Sequence, residues 1–321
     1  MTDRDPGLYD QSQAATQIED GFWQIDLGFQ NRAGVIAAYL LEGDGQLALI
    51  ETGPSSCRAN LEAGLAQAGF RTSDLTHLLV THIHLDHAGA AGPLAAENPE
   101  LMVSVHPFGA PHMADPSKLV ASATRIYGDR MDELWGEFAP IPEAQLHVLM
   151  DGEVIKVAGR RLLAAFTPGH AHHHVAYIDL ARRYGYTGDV GGIRMTGTDY
   201  VCAPTPPPDL DREKWHDSIE RLQGFNLERV YLTHFGGYED VDRHLTALAE
   251  SLEEFLAIGV RELDAGIDPD ELTRILHERM AEGLGDVHPG TLVNLEWATP
   301  SYMATLGLQR WHRKLRESHP A

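Results

Sequence analysis

Nine residues of the sequence, THIHLDHAG at positions 81–89, contain four side chains that can bind a metal ion: His82, His84, Asp86 and His87. An isolated histidine would need no explanation in a chain that has 18 of them. Four candidate ligands within six positions, directly after the apolar run LTHLLV, form a more specific pattern. Imidazole nitrogens and carboxylate oxygens are the ligands that zinc and similar divalent ions use in proteins. The segment therefore predicts a metal site.

Three further candidate ligands follow other apolar segments. His170 comes after RLLAAFTPG, Asp189 after YGYTG and His234 after ERVYLT. The carboxyl ends of strands in an α/β sheet meet at one edge, where such folds build their sites. One ion needs three or four protein ligands, so seven are enough to hold two.

The elements that must position these side chains can be predicted from the pattern of apolar runs. Five segments of the first half are predicted to be strands: GFWQIDLG, GVIAAYLLEGDG, QLALIETG, LTHLLV and LMVSVH. Five segments of the second half are also predicted to be strands: EVIKVAG, RLLAAFTPGH, HVAYIDL, YGYTGD and ERVYLTHFG. Helical spacing is visible in CRANLEAGLAQAGF, in a helix that begins near Asp86, and in a helix with Trp215, Ile219 and Leu222 on one face. Two series of strands with interleaved helices predict a layered α/β fold.

Two regions depart from this alternation. Residues 107–145 predict a helical insert between strands, with two helical pieces. From about residue 241 the strands stop, and three amphipathic helices are expected, one with Val241, Leu245 and Leu252 on its apolar face, one capped by Asp268, and a last one in TPSYMATLGLQRWHRKL. The predicted organisation is a metal-binding domain over 15–240 and a C-terminal helical extension over 241–321.

Composition limits the classes of partner. The formal charge of −22, from 25 basic and 47 acidic residues, predicts repulsion of nucleic acids and of acidic membrane surfaces. The basic cluster at 310–316 has helical spacing and is interpreted as a solvated helix face. No apolar run approaches the ~18 residues of a membrane span, and the polar start does not look like a signal peptide. Only two cysteines, Cys57 and Cys202, occur far apart, so we expect no disulfide framework and a cytoplasmic location.

The order HxHxDH, then His, Asp and His, resembles the signature of the metallo-β-lactamase superfamily over roughly residues 20–240. It is more similar to glyoxalase II and related hydrolases than to the β-lactamases, because Asp189 stands where some lactamases have a zinc-binding cysteine. The resemblance implies an αββα four-layer sandwich, with two sheets face to face and the helices outside. It also implies two divalent metal ions per chain. Zinc is the expected metal, and iron(II) and manganese(II) are the alternatives.

Carried over position by position, the resemblance assigns the ligands of both ions. His82, His84 and His170 would bind the first ion, Asp86, His87 and His234 the second, and Asp189 both. Two such ions polarise a carbonyl and ionise the bridging water to a hydroxide, which would be the nucleophile. Asp86 would then act as the catalytic proton acceptor. The implied function is hydrolysis of an uncharged or weakly charged small molecule such as an ester, thioester or lactone.

Other residues are assigned around this set. Glu51, in IETG, stands where the family usually has aspartate, and it is expected to hydrogen-bond a metal-binding histidine. His174 is given a similar supporting role, whereas His172 and His173 are interpreted as loop residues, and His106 and His216 receive no role. Within the insert, Tyr127, Met131 and Trp135 are candidate walls of the substrate pocket. The alternative is that these three side chains only pack the insert onto the core.

Two other functions are compatible with the fold that the resemblance implies. Iron-dependent relatives oxidise persulfides with the same motif but with one metal ion, so a single iron per chain would favour that redox function. Iron-dependent relatives that reduce oxygen typically carry glutamate in place of His84 and an attached flavin domain, and neither is found here. A non-catalytic binding protein is the second alternative, although such members usually lose ligands and all seven are kept here. The sequence leaves the substrate, the native metal and the oligomeric state open, including a homo-oligomer.

Overall fold

The first of two sheets has seven strands that lie side by side in chain order. In the computed structural model, which describes residues 7–318, these strands are β1 (Ala15–Glu19), β2 (Phe22–Asp26), β3 (Ala37–Gly43), β4 (Gln46–Ile50), β5 (His77–Leu79), β6 (Met102–Val105) and β7 (Leu146–Val148). The strands from β1 to β4 pair antiparallel, whereas β4 to β7 pair parallel. The carboxyl ends of β4, β5 and β6 therefore lie at one edge.

The second sheet has six strands in the reverse order, from β13 to β8. They are β8 (Val154–Val157), β9 (Arg160–Phe166), β10 (Val175–Asp179), β11 (Tyr184–Tyr186), β12 (Arg229–Leu232) and β13 (Gly236–Tyr238). β9 and β11 are each antiparallel to β10, and β12 is parallel to β11. The carboxyl ends of β9, β11 and β12 consequently share an edge, and each is followed by one of the candidate ligands.

Helices cover the outer face of each sheet. On the first sheet and in the insert they are α1 (Arg58–Gln67), α2 (Leu85–Ala88), α3 (Ala91–Glu97), α4 (Ala110–Ala114), α5 (Ser117–Tyr127) and α6 (Met131–Leu134). In the second half they are α7 (Arg212–Gly224), α8 (Val241–Asp264), α9 (Pro269–Leu284), α10 (Pro289–Ala298) and α11 (Ser301–Ser318). None of the helices within residues 7–318 combines the length and apolar character that crossing a membrane requires.

The strand residues alternate between two cores, as the two-residue period of a strand requires. In β3, Tyr39 and Leu41 enter the core between the sheets, whereas Ala38 and Leu40 enter the core under the helices of the first sheet. A third core lies between the second sheet and the helices of the second half. The predicted αββα sandwich with a C-terminal helical region is confirmed.

Several elements were not predicted from the sequence, including the strands β1, β7 and β13. The two helical pieces predicted for the insert are present as α5 and α6, whereas α4 before them and α10 in the C-terminal region were not predicted. The apolar faces predicted for α7 and α8 are buried, including Trp215, Leu222 and Leu252. Cys57 and Cys202 are both buried free thiols.

Candidate metal centre

The seven candidate ligands meet where the two sheets present their strand ends. The segment after β5 carries His82 and His84, and α2 begins directly afterwards and carries Asp86 and His87. His170 follows β9, Asp189 follows β11, and His234 follows β12. Their ligand atoms form two groups, and within each group the atoms lie within 4.8 Å of one another.

The first group consists of His82, His84, His170 and Asp189. Nδ1 of His84 lies 2.9 Å from Nε2 of His82 and 3.1 Å from Nε2 of His170. Oδ2 of Asp189 lies 3.3 Å from Nε2 of His170 and 4.0 Å from Nε2 of His82. Ligand atoms around a tetrahedral zinc ion with bonds of about 2.0–2.1 Å are separated by roughly 3.3 Å. The first group has spacings of this size.

The second group consists of Asp86, His87 and His234. Oδ2 of Asp86 lies 3.7 Å from Nε2 of His87 and 3.5 Å from Nε2 of His234. The other oxygen of Asp189, Oδ1, lies 3.2 Å from Nε2 of His87 and 3.5 Å from Nε2 of His234. Each carboxylate oxygen of Asp189 therefore faces a different group.

Hydrogen bonds on the outer nitrogens direct the inner lone pairs toward the centre. Four of the histidines donate a proton from Nδ1 to an oxygen: His82 to Thr81 Oγ1 (3.0 Å), His87 to Glu51 Oε1 (3.1 Å), His170 to the Pro204 carbonyl (3.0 Å) and His234 to the Val35 carbonyl (2.7 Å). A neutral imidazole that carries its proton on Nδ1 has its lone pair on Nε2. These partners thus fix the tautomer that binds a metal.

The inner atoms have few protein partners of their own. Nε2 of His87, Nε2 of His234 and Oδ1 of Asp189 are buried and have no hydrogen-bond partner among the described residues. The His87 and Asp189 atoms lie 3.2 Å apart but not in hydrogen-bonding geometry. Buried polar atoms without partners are uncommon and costly. Cations between these lone pairs would satisfy them, so the residues present fit divalent metal ions.

The electrostatics of the site favour ionised carboxylates. Burial alone would raise the pKa of Asp86, but attraction to His87 and His234 in their protonated forms outweighs it and lowers this pKa to about 2. Burial is opposed in the same way at Asp189, whose pKa is held well below its usual value by His87, His170 and His234. Burial lowers the pKa of His84 to about 4. Both carboxylates are therefore available to bind cations at neutral pH.

Glu51 lies directly behind the second group and is fully buried. Besides His87, its Oε1 accepts hydrogen bonds from the hydroxyls of Thr81 (2.5 Å) and Thr233 (3.3 Å), and its Oε2 accepts from the Thr81 backbone N–H (3.3 Å). Its φ of +65° lies in the left-handed region, which costs a non-glycine residue energy. The hydrogen bond expected from glutamate to a candidate metal histidine is present.

His174 has a comparable position behind the first group. Its Nε2 accepts from the backbone N–H of Val190 at 3.3 Å, and its Nδ1 pairs with Thr167 Oγ1 at 2.9 Å. The ring stacks on His82 with centroids 4.9 Å apart. The contacts place His174 as a support for the His82 ring.

The aromatic side chains of the insert pack on the core beside the site. Trp135 is 8% exposed and stacks on Phe29, with centroids 5.5 Å apart and planes at 17°. Tyr127 lies edge-on to Trp135 at 5.0 Å, and both Tyr127 and Met131 are partly buried against the same core. Burial, together with the charges of Tyr302 and Asp86, raises the pKa of Tyr127.

Several residues that support the site were not identified from the sequence. The carbonyls of Val35 and Pro204 could not be identified, because any residue type can provide a backbone acceptor. Thr81 and Thr233 could have been identified, because each directly precedes a candidate ligand. The pair Thr81–His82 follows β5, and the pair Thr233–His234 follows β12. In both pairs the threonine hydroxyl bonds to Glu51.

Comparison with known proteins agrees with this geometry. The sequence profile of the metallo-beta-lactamase superfamily matches residues 31–234. A metallo-beta-lactamase fold-containing protein of Sulfurisphaera tokodaii is 25% identical over 218 residues, which are 67% of this chain and 78% of that protein. An atrochrysone carboxyl ACP thioesterase of Aspergillus fumigatus is 27% identical over 208 residues, 64% of this chain and 52% of that enzyme. The chain thus spans about half the length of the fungal relative.

Similarity to solved structures supports the fold alone. A metallo-beta-lactamase family protein from Thermus thermophilus superposes with a TM-score of 0.69 at 22% identity, over 93% of this chain and 95% of that one. The match extends beyond residue 240, so the C-terminal helices belong to the shared architecture.

Proposed function

The chain belongs to the metallo-β-lactamase superfamily, and from this premise we propose that it is a dinuclear metal-dependent hydrolase of an uncharged or weakly charged ester, thioester or lactone. The observation that carries the proposal is the pair of ligand groups that face opposite oxygens of Asp189. A protein that held one ion would need three or four of these seven side chains, and the remainder would be buried without partners.

The ligand sets follow from the two groups. The first ion would be held by His82, His84 and His170, the second by Asp86, His87 and His234, and both by Asp189. Imidazole and carboxylate ligands without a thiolate suit zinc, with iron(II) and manganese(II) as alternatives. When bound, the two ions would polarise the substrate carbonyl and ionise water near neutral pH.

We assign the proton transfer to Asp86. Its side chain is 20% exposed, compared with 7% for Asp189 and 0–1% for His87 and His234. Oδ2 of Asp86 lies 3.7 Å from Nε2 of His87 and 3.5 Å from Nε2 of His234, and the side chain is the most exposed of these four. In this proposal the Asp86 carboxylate accepts the remaining proton of the hydroxide after attack and passes it to the leaving group. No nucleophilic serine or cysteine is required.

Thioester hydrolysis by a fungal relative supports the class of substrate. That enzyme is named as a thioesterase acting on an acyl carrier protein conjugate. For this chain we propose that the substrate is a small molecule with the same bond type or a related acyl bond. Tyr127, Met131 and Trp135 of the insert are the proposed walls of its pocket. The excess of acidic residues argues against a nucleic-acid substrate.

The test combines metal analysis with a substrate panel. Protein purified without chelator and resupplied with zinc or manganese should hold about two ions per chain and cleave members of a panel of thioesters, lactones and aryl esters. Asp189→Ala should abolish turnover, and Asp86→Asn should keep most of the metal but turn over ~10²–10⁴-fold more slowly. One iron per chain with oxidation of a persulfide would instead identify the redox alternative, and near-native turnover by Asp86→Asn would remove its role as proton acceptor.

A further inference from the structure

His173 lies against the first ligand group although sequence reasoning interpreted it as a loop residue. Its ring centroid is 5.8 Å from that of His84 and 6.1 Å from that of His82. It does not belong to either group of converging ligand atoms. The side chain is partly buried, as is that of His84.

A backbone hydrogen bond determines which nitrogen of His173 carries a proton. The N–H of Ile83 points at Nδ1 of His173, with the two nitrogens 3.4 Å apart. A backbone N–H can only donate, so Nδ1 is the acceptor and the proton is on Nε2. Nε2 has no hydrogen-bond partner among residues 7–318. It is also not one of the fully buried polar atoms without a partner in that range. His173 thus presents an N–H donor without a protein acceptor beside the candidate metal centre.

We propose that Nε2–H of His173 donates a hydrogen bond to the carbonyl oxygen of the substrate at the His84 side of the site. The inference rests on the proposed hydrolytic function, since it assumes a substrate carbonyl there. The donor would strengthen its bond as negative charge develops on that oxygen, which is how fixed donors accelerate acyl transfer. The proton stays on His173 throughout, so the residue forms no covalent bond and exchanges no proton.

The neighbouring surface indicates what is attached to that carbonyl. His106 follows β6 at the same edge, and its Nδ1 accepts from the Phe108 N–H at 3.0 Å. The His106 ring lies 4.1 Å from the ring of Phe166 and 5.3 Å from the ring of Phe108. Phe108 is 67% exposed, so its ring is open to contact by a ligand. In the proposal this aromatic surface accepts the acyl group, so the preferred substrates carry an aromatic or bulky apolar acyl group.

The adjacent residue provides a matched control. His172 is 41% exposed and its Nε2 lies 3.9 Å from Oδ1 of Asp209, on the side that leads toward α7 and α8. A substitution at His172 changes the same loop and the same residue type without removing the donor beside His84.

The experiment compares His173→Phe, His173→Gln and His172→Phe in zinc-loaded protein. Phenylalanine keeps a ring but has no donor, and glutamine places an N–H near the position of Nε2. We expect His173→Phe to lower kcat by about 10²-fold on a benzoyl thioester, the low end for loss of one such donor. Zinc content and Tm should stay close to wild type, glutamine should recover most of the loss, and His172→Phe should match wild type.

A second measurement does not depend on turnover. Benzoate, the product of benzoyl ester or thioester cleavage, is titrated calorimetrically into each zinc-loaded protein. We expect wild type and His172→Phe to bind it alike and His173→Phe to bind it about tenfold more weakly. Equal benzoate affinity and equal kcat in wild type and His173→Phe would overturn the proposal, as would absence of benzoate binding to wild type. Wild type that binds benzoate but cleaves no ester, thioester or lactone would instead count against the proposed function.

Discussion

Glu51→Gln is the substitution that best isolates the support of the second ligand group. The change keeps the size of the side chain but replaces one oxygen by an NH₂ group and removes the negative charge. Glu51 accepts from four donors: the hydroxyl and backbone N–H of Thr81, Nδ1 of His87 and the hydroxyl of Thr233. A carboxylate has about four lone-pair positions, whereas an amide oxygen has two. The NH₂ group of glutamine would also face one of these donors.

The size of the effect follows from these contacts. Leaving one buried donor unsatisfied costs about 1–3 kcal/mol of unfolding free energy. Loss of an outer partner of a metal-binding histidine typically lowers metal affinity ~10–100-fold, which is about 1.4–2.7 kcal/mol. Because His87 belongs to the second group only, the loss should fall on one of the two bound ions.

The assay is competition with a zinc chelator, which resolves a tighter and a weaker site. We expect Glu51→Gln to release the ion of the His87 group at a lower chelator concentration and to leave the other site within a few-fold of wild type. Thr81→Val provides the contrast, since it removes the acceptor of His82 and should weaken the first group more. Equal chelator resistance of Glu51→Gln and wild type, or a loss confined to the first group, would refute this account of Glu51.

Three further predictions concern packing, pH and binding. Trp135→Ala should lower the unfolding free energy by about 3–5 kcal/mol, because it removes the ring stacked on Phe29; a changed KM without such destabilisation would make Trp135 a pocket wall instead. Burial raises the pKa of Asp26 to about 6 despite hydrogen bonds from the backbone N–H groups of Gly28 and Gly34. Its folded pKa is thus above its unfolded value, so the folded state binds the proton more tightly. The unfolding free energy of wild type relative to Asp26→Asn should therefore be highest below pH 4 and fall by at most about 3 kcal/mol as pH rises through 6. Chemical denaturation at a series of pH values measures this difference, and a rise with pH would contradict the prediction. Titration with single-stranded RNA and duplex DNA in low-salt buffer should give no micromolar binding, because the formal charge is −22; tight, salt-sensitive binding would disprove it.

The strands that lead to the site could be predicted because each combines an apolar run with a candidate ligand at its end. β7 and β13 have three residues each and lie at the edges of their sheets, so they leave little pattern in the sequence. α10 was missed because its apolar residues Leu292, Val293, Leu295 and Trp297 do not fall on one face. The helix packs on two cores through Leu295 and Trp297, and Asn294 adds polar contacts, accepting from Arg32 Nε at 2.8 Å and donating to the Ala33 carbonyl at 2.7 Å.

The candidate ligands were predictable from residue type and spacing, but the orientation of their rings was not. His173 shows the difference. Its neighbour His170 is recognised by the strand that precedes it, whereas His173 gains its position only when the loop after β9 meets the Ile83 backbone after β5. A sequence lists both as histidines of one loop. Only the contact between these two loops distinguishes His170, a converging candidate ligand, from His173, a hydrogen-bond donor.

The same contacts explain why neither half of the chain could form this site alone. The first group takes His82 and His84 from the first half and His170 and Asp189 from the second, and the second group takes His234 from the second half to complete Asp86 and His87. Glu51 makes the same connection behind them, because it accepts from Thr81 on the first-sheet side and from Thr233 on the second-sheet side. A buried carboxylate bonded to both halves fixes their relative position to within hydrogen-bond tolerance, which is the accuracy that metal ligands at 2.0–2.2 Å require. The strained φ of Glu51 is then the local cost of joining the two sheets at the point where the ligands meet.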